Sequence, residues 1–286
     1  MTTTAVTTPA TPAGGSLARL RPTRVAYRQA FVALLQRDVH VLFKNVWLFM
    51  VRAVMQPLLL MFVFTYVFPK IGQGVGGGPE AEIAFTSTLV AGVVGLAIVF
   101  QGIQAVALPL VQEFGYSKEI EDRVLAPLPT KMVGVQKIVT GMINSLIAAL
   151  LVFPIAYVVP ATDVHLHIHW AVLITLAPLA GWVAAALGLV LGTRVAPQNV
   201  SYLFALVVLP LTFLGCIYYP WKALEPVPVL QVAVLVNPLV YMCEGFRAAL
   251  TTSEHMGLPF VYGALALFAV VLTWIGVTGF ERRTVS

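Results

Sequence analysis

Apolar runs on the scale of a bilayer alternate with short charged or Pro/Gly-rich breaks along most of this chain. Six of them, at residues 46–68, 83–111, 132–159, 170–191, 200–218 and 260–280, lie near the ~20 residues that cover about 30 Å of hydrocarbon at about 1.5 Å per residue. They predict spanning helices, because a helix satisfies its backbone polar groups within one segment. The expected fold is an all-α polytopic membrane protein, with one domain over 46–286.

Two segments depart from the plain pattern. Residues 24–45 read as an amphipathic helix: at about 100° per residue Tyr27, Ala30, Phe31, Leu34, Leu35, Val41 and Leu42 share one arc, with Gln29, Gln36, Arg37, His40 and Lys44 opposite. Asp38 breaks the arc. A basic amphipathic helix before a span is expected to lie in the headgroup plane, its cations against anionic lipid. Residues 219–253 are too polar at intervals to cross and too apolar for a free loop. Pro220, Pro226 and Pro228 break the segment early, and Asn237-Pro238 interrupts it again. This predicts a re-entrant pair of short helices that dip in and return on one side.

Composition narrows the class. With 59% hydrophobic and 10% charged residues, an ordinary soluble domain is excluded. The net charge of +5 does not mark a nucleic-acid face, since Lys and Arg sit at the ends of apolar runs. If residues 1–23 are cytoplasmic, thirteen of the seventeen basic residues fall inside, against Lys70, Lys222 and Arg247 outside. Both termini are thus expected in the cytoplasm. The Thr-, Ala- and Pro-rich residues 1–23 are expected to be a disordered tail and not a leader, lacking a short apolar run with a cleavage site. The Gly-rich 69–79 has no following Lys-Ser/Thr, so no phosphate loop is expected there.

Candidate chemistry lies in a few places. Residues 113–130, EFGYSKEIEDRVLAPLPT, are the densest charge cluster. Ser117 can cap a short helix with Glu119, Glu121 and Asp122 near its positive end, and Pro127 and Pro129 stop it. Glu113, Lys118, Glu119, Glu121, Asp122 and Arg123 then form an exposed handle for a soluble partner, or else an ordinary solvated loop. Within the spans stand Arg52, Gln56, Gln101, Gln104 and Asn144. Arg52 either snorkels or lines a path, and the paired amides of Gln101 and Gln104 read first as glue between helices. Glu244 and Arg247, three apart, are expected to pair. His165, His167 and His169 alternate as metal ligands on a strand would, but only Asp163 stands near. Cys216 and Cys243 permit one bridge, with two buried thiols the simpler reading.

An interfacial helix, six spans, a charged loop between the second and third ending in Leu125-Ala126-Pro127-Leu128-Pro129, and Asn237-Pro238-Leu239 followed by Glu244 and Arg247 together resemble the type-two ABC exporter permeases. The likeness is strongest to the branch holding the daunorubicin-resistance and nodulation lipo-oligosaccharide export permeases. The resemblance implies a homodimer or paired permease in the plasma membrane, bound to two ATPase subunits, with 113–130 as the coupling helix and an amphipathic cargo moved outward. It implies no cofactor in this chain, ATP and Mg being held by the partner. The absence of a Walker A motif agrees. Two other classes stay open: a membrane enzyme with a metal or Glu/Arg site on the outer face, and a secondary transporter. The first lacks HExxH and GxSxG, and the second lacks acids in mid-span.

Overall fold

In the computed structural model, residues 23–71, 78–114, 129–160, 164, 166–195, 199, 202 and 204–285 are described. Helix α1 (Thr23–Lys44) leads into α2 (Val46–Lys70), whose turn at Phe62–Val67 is π-helical, and then α3 (Pro79–Gln112), α4 (Thr130–Val158) and α5 (Trp170–Arg194) follow. A short helix α6 (Leu209–Phe213) precedes α7 (Pro228–Ala233, continued by a 3-10 turn), α8 (Pro238–Leu250) and α9 (Leu258–Val285). Among the described residues, five helices are long and apolar enough to cross a membrane: α2, α3, α4, α5 and α9. A sixth crossing exists if α7 and α8, bent by 97°, count as one broken span.

Small residues hold the centre together. Lipid tails are as apolar as leucine, so helices in a bilayer associate through close backbone approach and not through burial from water. On α5 the stripe Ala184, Ala185, Gly188 and Gly192 lies against α3, while Gly181 faces Met142 and Ser145 of α4. A Cβ on Gly188 would stand 2.9 Å from the Ile103 carbonyl, and one on Gly192 3.1 Å from the Ala107 Cα. Gly141 of α4 meets Val106 and Ala185 in the same way, and Gly276 of α9 meets Leu189. Helices α4, α8 and α9 thereby pack around the α3–α5 pair. Polar ties fix α9 in register: Trp182 Nε1 donates to Thr273 at 2.9 Å, and Arg283 donates to the Gly192, Thr193 and Val195 carbonyls at the end of α5. Those carbonyls have no helical partner of their own, which is why a cation suits that position.

Three expectations change and one holds. The helix expected through 200–218 stops at Phe213, among the described residues, because Gly215 and Cys216 (φ 53°) turn the chain away. As expected, the 219–253 segment forms a bent pair of short helices, and it contributes α8, every residue of which is buried. The apolar arc of α1 is turned to protein: Tyr27, Ala30, Phe31 and Leu34 cover a cluster built around Leu110, Val133, Ile138 and Phe280. Asp38, the residue that broke that arc, accepts from Gln136 Nε2 of α4 at 2.8 Å, so the break is itself a contact.

Replacing Gly188 by Leu is expected to cost about 1–3 kcal/mol through overpacking, seen as a lower Tm in detergent. Gly263→Leu, on a face of α9 with nothing within 4 Å, serves as the control and should melt like the parent.

Candidate functional site

Two polar regions stand out, one open and one closed. The open one is a cleft of about 1290 Å³ between α1, α2, α3 and α4, reaching Tyr218. Its walls are mostly apolar, with Met55, Leu59, Val63 and Phe64 from α2 and Phe100 and Leu108 from α3. Into it project Arg52 and Gln56 of α2, Gln101 and Gln104 of α3, and Asn144 of α4. All five of the polar residues that the sequence marks inside the spans therefore meet in one place. Local backbone chemistry helps to open it. Thr65 bonds back to the Met61 carbonyl at 2.7 Å within the π turn that carries Val63 and Phe64. Pro109, also lining the cleft, withdraws the N–H that the Ala105 carbonyl would accept.

Gln101 and Gln104 are not the glue expected of them. Neither amide, nor those of Gln56 and Asn144, has a hydrogen-bond partner among the described residues. An amide facing hydrocarbon unpaired costs on the order of 1–3 kcal/mol in proteins, and the space on which these four converge gives them room to bond to something other than this chain. Ser145, beside Asn144, is self-contained, donating to the Met142 carbonyl at 2.7 Å.

At the end of the cleft where α3 stops, Lys137 Nζ donates to Glu113 Oε1 at 2.7 Å, both side chains being under a tenth exposed. Glu113 is thus corrected from an exposed handle residue to a buried anchor: it lies in the last, π-helical turn of α3 and clamps α3 to α4. Sequence spacing could not show this pair, since its members are 24 positions apart. Lys118, Glu119, Glu121, Asp122 and Arg123 lie outside the described residues, as does His165.

The closed region is built on α8. Asn237 caps it, accepting from the Leu239 N–H at 2.9 Å, and Pro238 takes the first helical position, where its missing N–H costs nothing. The Asn237 amide also donates to the Leu211 carbonyl at 2.7 Å, closing the end of α6. Glu244 and Arg247 pair as expected, at 2.6 Å and 1% and 0% exposed. Both carboxylate oxygens have further work: Oε1 accepts from the Trp221 N–H at 2.7 Å and Oε2 from the Met256 N–H at 2.8 Å. Arg247 donates to the carbonyls of Cys216 and Ile217. The pair therefore satisfies backbone groups at two chain breaks, between α6 and α7 and between α8 and α9, and its acceptors are committed; a Glu/Arg chemical centre on an outer face is not what the geometry builds. Cys216 and Cys243 are free buried thiols. The alternating histidines serve their backbone: the N–H groups of His167 and His169 close the Leu250 and Ala249 carbonyls of α8, leaving the two imidazoles exposed. No metal-binding cluster forms among the described residues.

A bundle of apolar helices that closes its core with small residues and gathers unpaired amides on one cleft has the build of a membrane transport protein. The family model of the ABC-2 type transporters matches residues 29–251, and the chain belongs to that family. It is similar to the inner membrane transport permease YadH of Escherichia coli (strain K12), 24% identical over 247 residues that cover 85% of this chain and 91% of the relative. The protein of the same name from Shigella flexneri matches to the same extent.

Removing either charge of the buried pair, as in Glu244→Gln or Arg247→Met, is expected to cost about 3–5 kcal/mol. In a double-mutant cycle on thermal stability the combined loss should fall short of the sum by about 1–3 kcal/mol. Additive losses would show that the two side chains act independently.

Proposed function

We propose that this chain is the membrane-spanning subunit of an ATP-driven exporter in the plasma membrane, moving a hydrophobic or amphipathic molecule outward. The observation that carries the reading is the cleft, whose apolar walls and unpaired amides suit a cargo with both characters. The family implies pairing with an ATPase subunit; in this reading two copies of it bind ATP and Mg on a homodimer or paired permease. This sequence has no Walker A motif of its own. The name of the YadH relative, an inner membrane transport permease, favours the same membrane. The earlier likeness to the daunorubicin-resistance and nodulation lipo-oligosaccharide branch belongs to this proposal, as does the placing of both termini in the cytoplasm.

Coupling runs through 113–130 in this reading. The segment leaves α3 immediately after Glu113 and enters α4 at Thr130, seven residues before Lys137. A partner that moves the segment therefore pulls on two helices already clamped by an ion pair, and both carry cleft residues. Rigid-body movement of α3 and α4 is the way such a pull would reshape the cleft.

Three experiments test the proposal. In sealed vesicles holding the permease with its ATPase, cargo movement should require hydrolysable ATP; equal movement without the ATPase would refute it. Replacing both Gln101 and Gln104 by Leu should lower cargo-stimulated ATPase activity by about tenfold, the effect of losing one to two hydrogen bonds to cargo, with basal activity retained. Charge reversal at Glu121 and Arg123 should instead uncouple hydrolysis from transport while the permease still inserts, and a well-expressed reversal variant with parental transport would remove 113–130 from the coupling role.

A further inference from the structure

The charges around the cleft are not equivalent. Lys137 is committed to Glu113, Asp38 accepts from Gln136 and lies 3.5 Å from the Thr140 hydroxyl, and Arg37 has a partner within the chain. Arg52 has neither a hydrogen bond nor an ion pair among the described residues. It stands one helical turn before Gln56 on α2, and a second, small void between α2 and α3 touches Arg52, Gln56, Phe100 and Gln101. Among the described residues the cleft therefore offers one uncommitted charge, positive, with two amides beside it and apolar wall around them. A guanidinium presents a planar fork of donors that matches a carboxylate, phosphate or sulfate, and it is never neutral at physiological pH. In an apolar surround such a group attracts anions and repels cations more strongly than in water.

We propose that the cargo of this permease is an anionic amphiphile, its acidic head held by Arg52 with Gln56 and Gln101 as flanking hydrogen-bond donors, and its apolar part laid against Leu59, Phe64 and Phe100. This rests on reading the cleft as the cargo path and narrows the cargo to one charge class. It also distinguishes Arg52 from a residue that merely snorkels to the membrane surface, which would hold no ligand.

The full chain in phosphatidylcholine nanodiscs can be titrated with radiolabelled dodecyl phosphate and with dodecyltrimethylammonium, against empty discs. Saturable binding of the phosphate and none of the ammonium is expected. Arg52→Gln should weaken phosphate binding by about tenfold or more, and Arg52→Lys, which keeps the charge but loses the planar fork, by less than Arg52→Gln does. Equal binding of both probes by the parent chain would overturn the proposal, as would an Arg52→Gln chain that binds like the parent. In phosphatidylglycerol discs the saturable phosphate binding should persist; its loss by competition would make the occupant a bilayer lipid and overturn the assignment to cargo. Failure of the charge class is separable from failure of the cleft. If the Gln101→Leu/Gln104→Leu variant loses cargo stimulation while Arg52→Gln keeps it, the cleft stands and the anion falls. If both variants keep it, the cleft itself is not the path.

Discussion

The ion pair between Glu244 and Arg247 is the interaction on which the architecture turns. A membrane fold can break its helices only where the freed N–H and carbonyl groups find partners inside the protein. Here the chain breaks between α6 and α7, between α7 and α8, and between α8 and α9. One buried carboxylate takes the N–H groups of Trp221 and Met256, and one buried guanidinium takes the carbonyls of Cys216 and Ile217. Neither charge could be buried alone, and together they allow a wholly buried helix in a region where hydropathy alone sees an interrupted run.

Around that hub, side-chain size and polarity are sorted by helix. The α3–α5 seam uses glycine and alanine so that backbones touch, which makes the centre of the molecule dense and stiff. The faces of α3 and α4 away from that seam carry Gln101, Gln104 and Asn144 toward α2, where Arg52 and Gln56 answer them. Close packing on one side and an open polar cleft on the other divide the bundle into two zones. The Glu113–Lys137 clamp stands at the junction of the two zones.

The same logic explains why some readings of the sequence hold and others do not. The break at Asn237-Pro238 is legible because proline acts locally, withdrawing a backbone N–H and ending whatever helix precedes it. The pairing of Glu244 with Arg247 is legible because three positions along a helix bring side chains together. Asp38, by contrast, reads as a flaw in an amphipathic arc until Gln136, nearly a hundred residues later, is seen beside it. Gln101 and Gln104 read as glue because a polar residue in a span ordinarily finds a neighbouring helix. Here the nearest wall stands back, and they face the cleft instead.

What the sequence determined by itself is the class of solvent each segment meets and the points where the chain must turn. Long apolar runs, capping residues and prolines act over one or two helical turns, so spans, breaks and the re-entrant bend are encoded locally. Which helix becomes the sixth buried element, which polar residues are spent on the backbone, and which are left facing a cavity were decided only by the tertiary structure. Those outcomes depend on contacts between residues far apart in the chain, where the close approach of glycine stripes sets the distances and the geometry of the few charged groups decides which of them are satisfied.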